Sequence, residues 1–524
     1  MLVVIPMPCA QYCELKAKRG KEKTRKFRVW QNVRKKKRRN FLMYRLRQLD
    51  VDDKVCEQVS PGVLERIYPT EIIEQCAQAS EQWTGTKRRV RQSTALALVL
   101  FVMLLALWSR LNQRQVWQKL GGGLSKLHPE NLLCEMSSSA LTVRRGELGS
   151  QVMEALMKTC CQPIARWEQT PEAFFGRYRF MAIDGTLFNV ADVQVNEQAF
   201  GRSSNQFGKG AYPQVRCVLL AECGSHAVVG MQISRYDESE VHGSHTLLCL
   251  IGRDMLLLVD AGIISAGFVQ AVRNCGGHVL ASLPSGMWEK GPRRRLRDGS
   301  ELVQLKPNRR GCYPLTKPIW VRIISYRITD ERLAEVGKVY RLVTTLLNPQ
   351  TAPAKDLVIL YHERWEIELV IDEVKTHERA QRKVLRSRTA EGVRQELYGI
   401  FLAHYAVRVL MYEAACEAGL DPDRLSFTEG MFQLCETIPF AQIMQAQDAE
   451  PILRRLQRDI SAVILPQRLL RVNRREVKQV YNRHKPKKRH LPPPESFLPE
   501  QRFEDFVQMV DPLLPAQGEV PSAA

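Results

Sequence analysis

Residues 361–377 read Tyr-His-Glu-Arg-Trp-Glu-Ile-Glu-Leu-Val-Ile-Asp-Glu-Val-Lys-Thr-His, with neither Gly nor Pro among them. An apolar run, residues 357–360, precedes them. Trp365, Leu369, Val370 and Val374 recur at helical spacing, which predicts one long helix. At about 100° per residue, Tyr361, Arg364, Glu368 and Lys375 fall at roughly 0°, −60°, −20° and −40°. A phenol, a guanidinium, a carboxylate and an ammonium therefore share one narrow stripe. An ordinary surface helix also carries such mixtures. Arg364 with Glu368 would then be a plain i, i+4 ion pair worth about 0.3–0.5 kcal/mol.

The composition points to a polyanionic partner. The 524 residues carry 77 Lys+Arg against 56 Asp+Glu, a net charge of +21, with 44% hydrophobic residues as in an ordinary soluble protein. Residues 1–50 hold 16 Lys+Arg and 3 Asp+Glu, so +13 of the excess sits in a basic arm, residues 1–58, expected to be disordered or to grip phosphates. The 14 Cys show no C-x-x-C spacing, which predicts reduced thiols in the cytoplasm rather than a disulfide or zinc framework. Residues 94–108 (TALALVLFVMLLALW) are the most apolar run; at that length they predict a buried helix rather than a membrane span.

From there the chain reads in order. Residues 59–165 are helical: an amphipathic helix over 64–83, the buried helix over 93–111, a further helix broken at Gly121-Gly122-Gly123, and helix again from Gly149. Residues 177–183 (RYRFMAI) are a strand ending in Asp184-Gly185, where Gly would turn the chain. Two strands joined by a hairpin follow at 214–221 and 226–233, then a helix. Residues 255–259 (MLLLV) are a fully buried strand ending in Asp260. A helix and a strand (278–283) complete the unit. Three antiparallel strands, then helix, strand, helix, strand, is the order of a ribonuclease-H-like α/β fold. It places Asp184 and Asp260 on neighbouring strands. The expected core is residues 166–284 and 346–420, interrupted by a β-rich insertion at 285–345 that carries Arg293, Arg294, Arg295, Arg309 and Arg310. Residues 421–524 form a basic, partly helical region, expected to bind DNA or form a dimer.

The spacing Tyr361-(2)-Arg364-(3)-Glu368-(6)-Lys375, with Asp184 and Asp260 upstream, resembles the signature of the IS-4 family of bacterial DDE transposases. The resemblance implies that Asp184, Asp260 and Glu368 hold two Mg²⁺ ions (Mn²⁺ as substitute), with Asp184 bridging both. Hard cations suit carboxylate oxygens, and two of them serve the attacking and the leaving oxygen of a phosphodiester. It implies that Arg364 and Lys375 clamp phosphates, that Tyr361 hydrogen-bonds one, and that Tyr340 in the insertion holds a flipped base. The helical region 59–165 resembles the N-terminal domain of a subgroup. The implied function is binding of the element's ends, cleavage of the backbone and joining of the 3′ ends to target DNA, by a homodimer acting on double-stranded DNA at the bacterial nucleoid. Ala261 departs from the pattern, since many relatives have Arg after the second Asp. That departure and the basic arm leave a second reading, a domesticated DNA-binding protein without catalysis.

Overall fold

The computed structural model describes residues 62–81, 83, 94–127, 135–206, 208–288, 292–308, 313–333, 337–378, 384–440, 449–466, 497–498 and 500–510. The basic arm, Arg309, Arg310 and the basic cluster at 474–489 lie outside them.

Apart from three two-residue strands, the described strands are β1 (Tyr178–Asn189), β2 (Gln214–Glu222), β3 (Val228–Arg235), β4 (Met255–Val259), β5 (His278–Ser282), β6 (Arg293–Arg295), β7 (Glu301–Leu305), β8 (Ile319–Ile328), β9 (Val339–Thr344) and β10 (Val507–Met509). They form one mixed sheet in the order β3-β2-β1-β4-β5-β9-β8-β7-β6, with β10 on the end of β8. β1, β4 and β5 run parallel, as strands joined through helices must; the neighbours on both sides run antiparallel. This large α/β sheet is consistent with a ribonuclease-H-like core.

Alternation of side chains explains how the sheet is buried. Phe180, Ala182 and Phe188 of β1 face one core, Met181 and Ile183 the other. β4 sends Leu256 and Leu258 to the first and Leu257 and Val259 to the second, which is why its sequence is apolar without a break. The N-terminal helices α1 (Gly62–Ile67), α2 (Thr70–Gln78), α3 (Ala95–Leu107), α4 (Gln113–Leu127), α5 (Ser138–Leu148) and α6 (Ser150–Cys160) lie with the first core. The helices α7 (Glu240–Leu247) and α8 (Ala266–Asn274) cover the second.

Every residue of α3 is buried, and Thr94 Oγ1 caps it by accepting from the Ala97 N–H at 3.2 Å. It packs on the long helix of residues 390–418, and a Cβ at Gly399 would lie 2.7 Å from Val102, so the two backbones touch there. Among the described residues no helix is long and apolar enough to cross a membrane.

Several expectations are corrected. The helix expected over 64–83 is two, α1 and α2, because Pro69 removes an N–H and turns the chain at Tyr68. The three glycines do not break α4. Each costs about 1 kcal/mol in a helix, but Val116, Trp117 and Leu120 on the same helix are buried, with Trp117 edge-on to Phe101. β1 does not stop at Asp184-Gly185; it runs on to Asn189 because β2 continues to supply ladder partners as far as Gln214. The strands of residues 285–345, expected as a β-rich insertion, extend the central sheet: β9 pairs with β5 through Thr344 and Leu280. The described parts of residues 421–524 also join the main core, through Phe427, Leu434, Leu456 and Ile460.

Candidate active site

Residues 361–377 are helical from end to end, but the helix leaves the α pitch at two places. Helix α9 (Ala354–Tyr361) passes into a tight 3₁₀ turn (His362–Trp365), then helix α10 (Glu366–Asp372), then a wide π turn (Glu373–Glu378). A uniform helix was expected; the irregular turns put side chains of one ladder at different angles. Such turns are frequent at functional sites.

β1 and β4 are in register with Ile183 opposite Val259, so Asp184 and Asp260 sit side by side at the next position. Each carboxylate accepts from the backbone N–H that follows it: Asp184 Oδ1 from Gly185 and Asp260 Oδ1 from Ala261, both at 2.7 Å. Arg364 is buried beside them and donates from Nη2 to Glu368 Oε1 at 3.3 Å. Burial opposes the charge of Arg364, yet Tyr361, Asp260, Glu368 and Asp184 together hold its pKa above the usual value. Burial pushes the Asp184 carboxyl up to about 6; the Gly185 N–H and Arg364 oppose this, while Glu240 and Glu368 add to it. The middle of β1, the end of β4 and one helix thus converge on an acidic site with Arg364 among its carboxylates.

Comparison with known proteins agrees. Residues 175–406 match the family model "Transposase DDE domain", and residues 58–158 match "Insertion element 4 transposase N-terminal". The chain is 31% identical to transposase InsG for insertion sequence element IS4 of Escherichia coli (strain K12), over 66% of this chain and 77% of that one. It is 26% identical to InsZ, a provisionally named transposase of the same strain, over 28% of this chain and 49% of that one.

The chain belongs to the IS4 family of DDE transposases. It is an enzyme of the metal-dependent, DNA-cleaving class.

Other expected residues of this transposase fall at varying distances from the carboxylates. Tyr361 Oη donates to the Val259 carbonyl at 3.0 Å, bracing the strand end that carries Asp260, and burial raises its pKa to about 12. Lys375 lies over Phe188, Nζ 5.3 Å from the ring centroid, four residues and about 13 Å along β1 from Asp184. Tyr340 is half-buried opposite Tyr326 with the rings 5.7 Å apart, and Tyr326 in turn lies near Tyr361. Arg293, Arg294 and Arg295 are exposed on the edge strand β6, six strand positions and roughly 29 Å from β1. Arg293 is paired there with Glu301 at 2.6 Å.

Glu240 and a second cluster went unread in the sequence. Gly185 is small for a reason: a Cβ there would lie 2.6 Å from the Glu240 side chain, which pairs with Arg216. The glycine was legible; its partner, 55 residues on, was not. Behind the signature helix, His226, Glu366 and Asp423 form the one set of three potential ligands among the described residues whose atoms lie within 4.8 Å of one another. Asp184, Asp260 and Glu368 are set wider than that.

Proposed function

We propose that the chain is the transposase of an insertion sequence, which binds the ends of the element, cuts the backbone there and joins the 3′ ends to target DNA. The observation that carries this is the meeting of Asp184 and Asp260, on paired parallel strands, with Arg364 and Glu368 of the signature helix.

The donor set suits divalent cations. Asp184, Asp260 and Glu368 offer hard oxygens, and burial disfavours the charge of Asp184, which the Gly185 N–H and Arg364 only partly offset. Bound Mg²⁺ or Mn²⁺ would supply activation of the attacking oxygen and stabilisation of the leaving one. Arg364 offsets the carboxylates in the structure and would present its planar fork to a phosphate. Tyr361 fixes the end of β4 through the Val259 carbonyl, and its hydroxyl lies near enough to Asp260 to exchange that partner for a phosphate oxygen. Tyr340 would stack on an extruded base, Lys375 would contact the strand farther from the scissile bond, and a homodimer would bring two ends together.

The test uses purified full-length protein and a plasmid carrying the gene with its flanking DNA. Breaks should map to the element's ends, need Mg²⁺ or Mn²⁺, and vanish in Asp184→Ala, Asp260→Ala and Glu368→Ala while end binding persists. Robust cutting by Glu368→Ala overturns the assignment.

A further inference from the structure

The back of the signature helix is tied into the protein by a buried set of charges. Glu373, the first residue of the π turn, accepts from Arg408 at both oxygens, Nε to Oε2 at 3.0 Å and Nη2 to Oε1. His404 Nε2 lies 2.9 Å from Glu373 Oε2, and His226 Nδ1 lies 3.1 Å from Oε1. His226 Nε2 reaches Glu366 Oε2 at 2.6 Å and Asp423 Oδ1 at 3.4 Å. His226 and His404 are wholly buried, and Arg408 and Glu373 nearly so. His404 and Arg408 stand on the helix Ala390–Ala418, the longest among the described residues; His226 stands in the turn between β2 and β3.

Such a network is weak evidence for stability, because taking charges out of water costs about as much as their attraction returns. What it does supply is a fixed geometry. Two observations say that geometry is imposed. His226 holds φ at 59°, a left-handed backbone that disfavours most residues by roughly 1–2 kcal/mol and persists only where the surroundings enforce it. The helix also leaves the α pitch at Glu373, the very residue Arg408 grips with its fork. The cluster is not built for a cation. Arg408 already supplies its positive charge: Nη2 lies 2.6 Å from His226 Nδ1 and the guanidinium donates to both oxygens of Glu373, so an added cation beside it would meet like charge.

We propose that Glu373 and Glu366, gripped by Arg408 and His226, are positioning residues that set the rotation and register at which Arg364 and Glu368 meet Asp184 and Asp260. The inference rests on the transposase reading above. The two glutamates face away from the site, so they act through the helix and touch neither DNA nor the reacting atoms.

The test compares wild type with Glu366→Gln, with Arg408→Lys, which keeps the charge and loses the fork, and with the double variant Glu373→Gln/Arg408→Met. The double variant removes both charges together so that none is left buried alone. Each is measured for melting temperature, end binding, direct Mn²⁺ binding to the protein without DNA, and the Mg²⁺ dependence of cleavage. The expected result is a double variant that melts near wild type and binds ends normally, yet binds Mn²⁺ and cleaves about 10- to 100-fold more weakly, as supporting residues of a metal site do. Arg408→Lys should fall between it and wild type. A double variant with wild-type melting and wild-type Mn²⁺ affinity overturns the proposal and leaves the network a purely structural one. If His226→Gln removes one equivalent of bound Mn²⁺, the cluster is a cation site and the proposal also fails. The transposase reading fails separately, when wild type itself binds no Mn²⁺ and cuts no better than Asp184→Ala.

Discussion

Asp184 and Asp260 are placed by backbone, whereas Arg364 and Glu368 are placed by side chains. β1 carries Asp184 one residue past its pairing with β4 and still within its pairing with β2, and Asp260 follows directly on β4, which is paired with β1 and β5 up to Val259. Moving Asp184 means breaking a ladder, and Asp260 is held by the ladder that ends at the residue before it. The helical stretch 354–378 has no such ladder to a neighbour. It leaves the α pitch at two places, and charged side chains hold it on both faces: Arg364 toward the carboxylates, Glu366 and Glu373 toward His226 and Arg408. Ile367, Val370 and Val374 keep its apolar face to the core, and the directional bonds fix its rotation within that face. The strand-borne half of the site should therefore tolerate neighbouring mutations, and the helix-borne half should be sensitive to them at a distance.

The largest effect should come from the strand-borne half itself. Asp184→Ala and Asp260→Ala should take cleavage below detection, as should chelation of the metal, with end binding retained. Asp184→Ala should melt at or slightly above the wild-type temperature near pH 7, because it removes a carboxylate whose ionised form burial disfavours. Cutting by either variant would refute the placement of the site. A lower melting temperature for Asp184→Ala would show that the carboxylate stabilises the sheet instead.

Arg364→Ala comes next and separates the two halves. A solvent-exposed i, i+4 pair would lose about 0.3–0.5 kcal/mol. Arg364 is buried among Tyr361, Asp260, Glu368 and Asp184, so its loss leaves several carboxylates facing one another. Melting should fall by more than the exposed-pair figure, recover on adding Mg²⁺ or Mn²⁺, and strand transfer should drop by orders of magnitude. Unchanged melting with no metal response would return Arg364 to the status of a surface pair.

The same division explains what the sequence reveals. The strand half was legible because period-two and continuous apolar patterns report burial directly: residues 255–259 are apolar because both faces of β4 are covered. The Arg364 and Glu368 pairing was legible because three-to-four spacing holds across that short reach. The π turn at Glu373 was not, since it is set by Arg408 and His226, 35 and 147 residues away, and local spacing carries no trace of them. Gly121–Gly123 misled for a related reason. Glycine reports a local preference, and Trp117 in the core overrides it.

Tyr361→Phe should have a smaller effect. It removes the hydroxyl that bonds the Val259 carbonyl beside Asp260 and also meets Ser282. Stability should fall by about 1 kcal/mol, and cleavage by about tenfold, because the strand end keeps its backbone partners on β1 and β5. A loss of cleavage as complete as that of Asp260→Ala, with stability unchanged, would show that the hydroxyl serves phosphate rather than the strand.

The smallest effect belongs to the far edge of the sheet, where Arg294 is exposed on β6, on the order of 30 Å from Asp184. At that distance it can reach only DNA flanking the reacting bond, and it can do so only as a phosphate contact. Arg294→Ala should then leave melting unaltered, because a side chain on an exposed edge strand supports no core. Cleavage at saturating protein should stay within about twofold of wild type. End binding should weaken uniformly across sequences, and the slope of log K against log salt should become shallower by about 0.9, the counterions released by one phosphate. Arg293→Ala is the comparison on the same strand, since its guanidinium is already paired with Glu301 and should change the slope less. If Arg294→Ala slows cleavage at saturation as much as Arg364→Ala does, the edge strand reaches the scissile bond and the separation of the two regions is wrong. If neither slope nor rate moves, β6 is a solvated edge that never meets DNA.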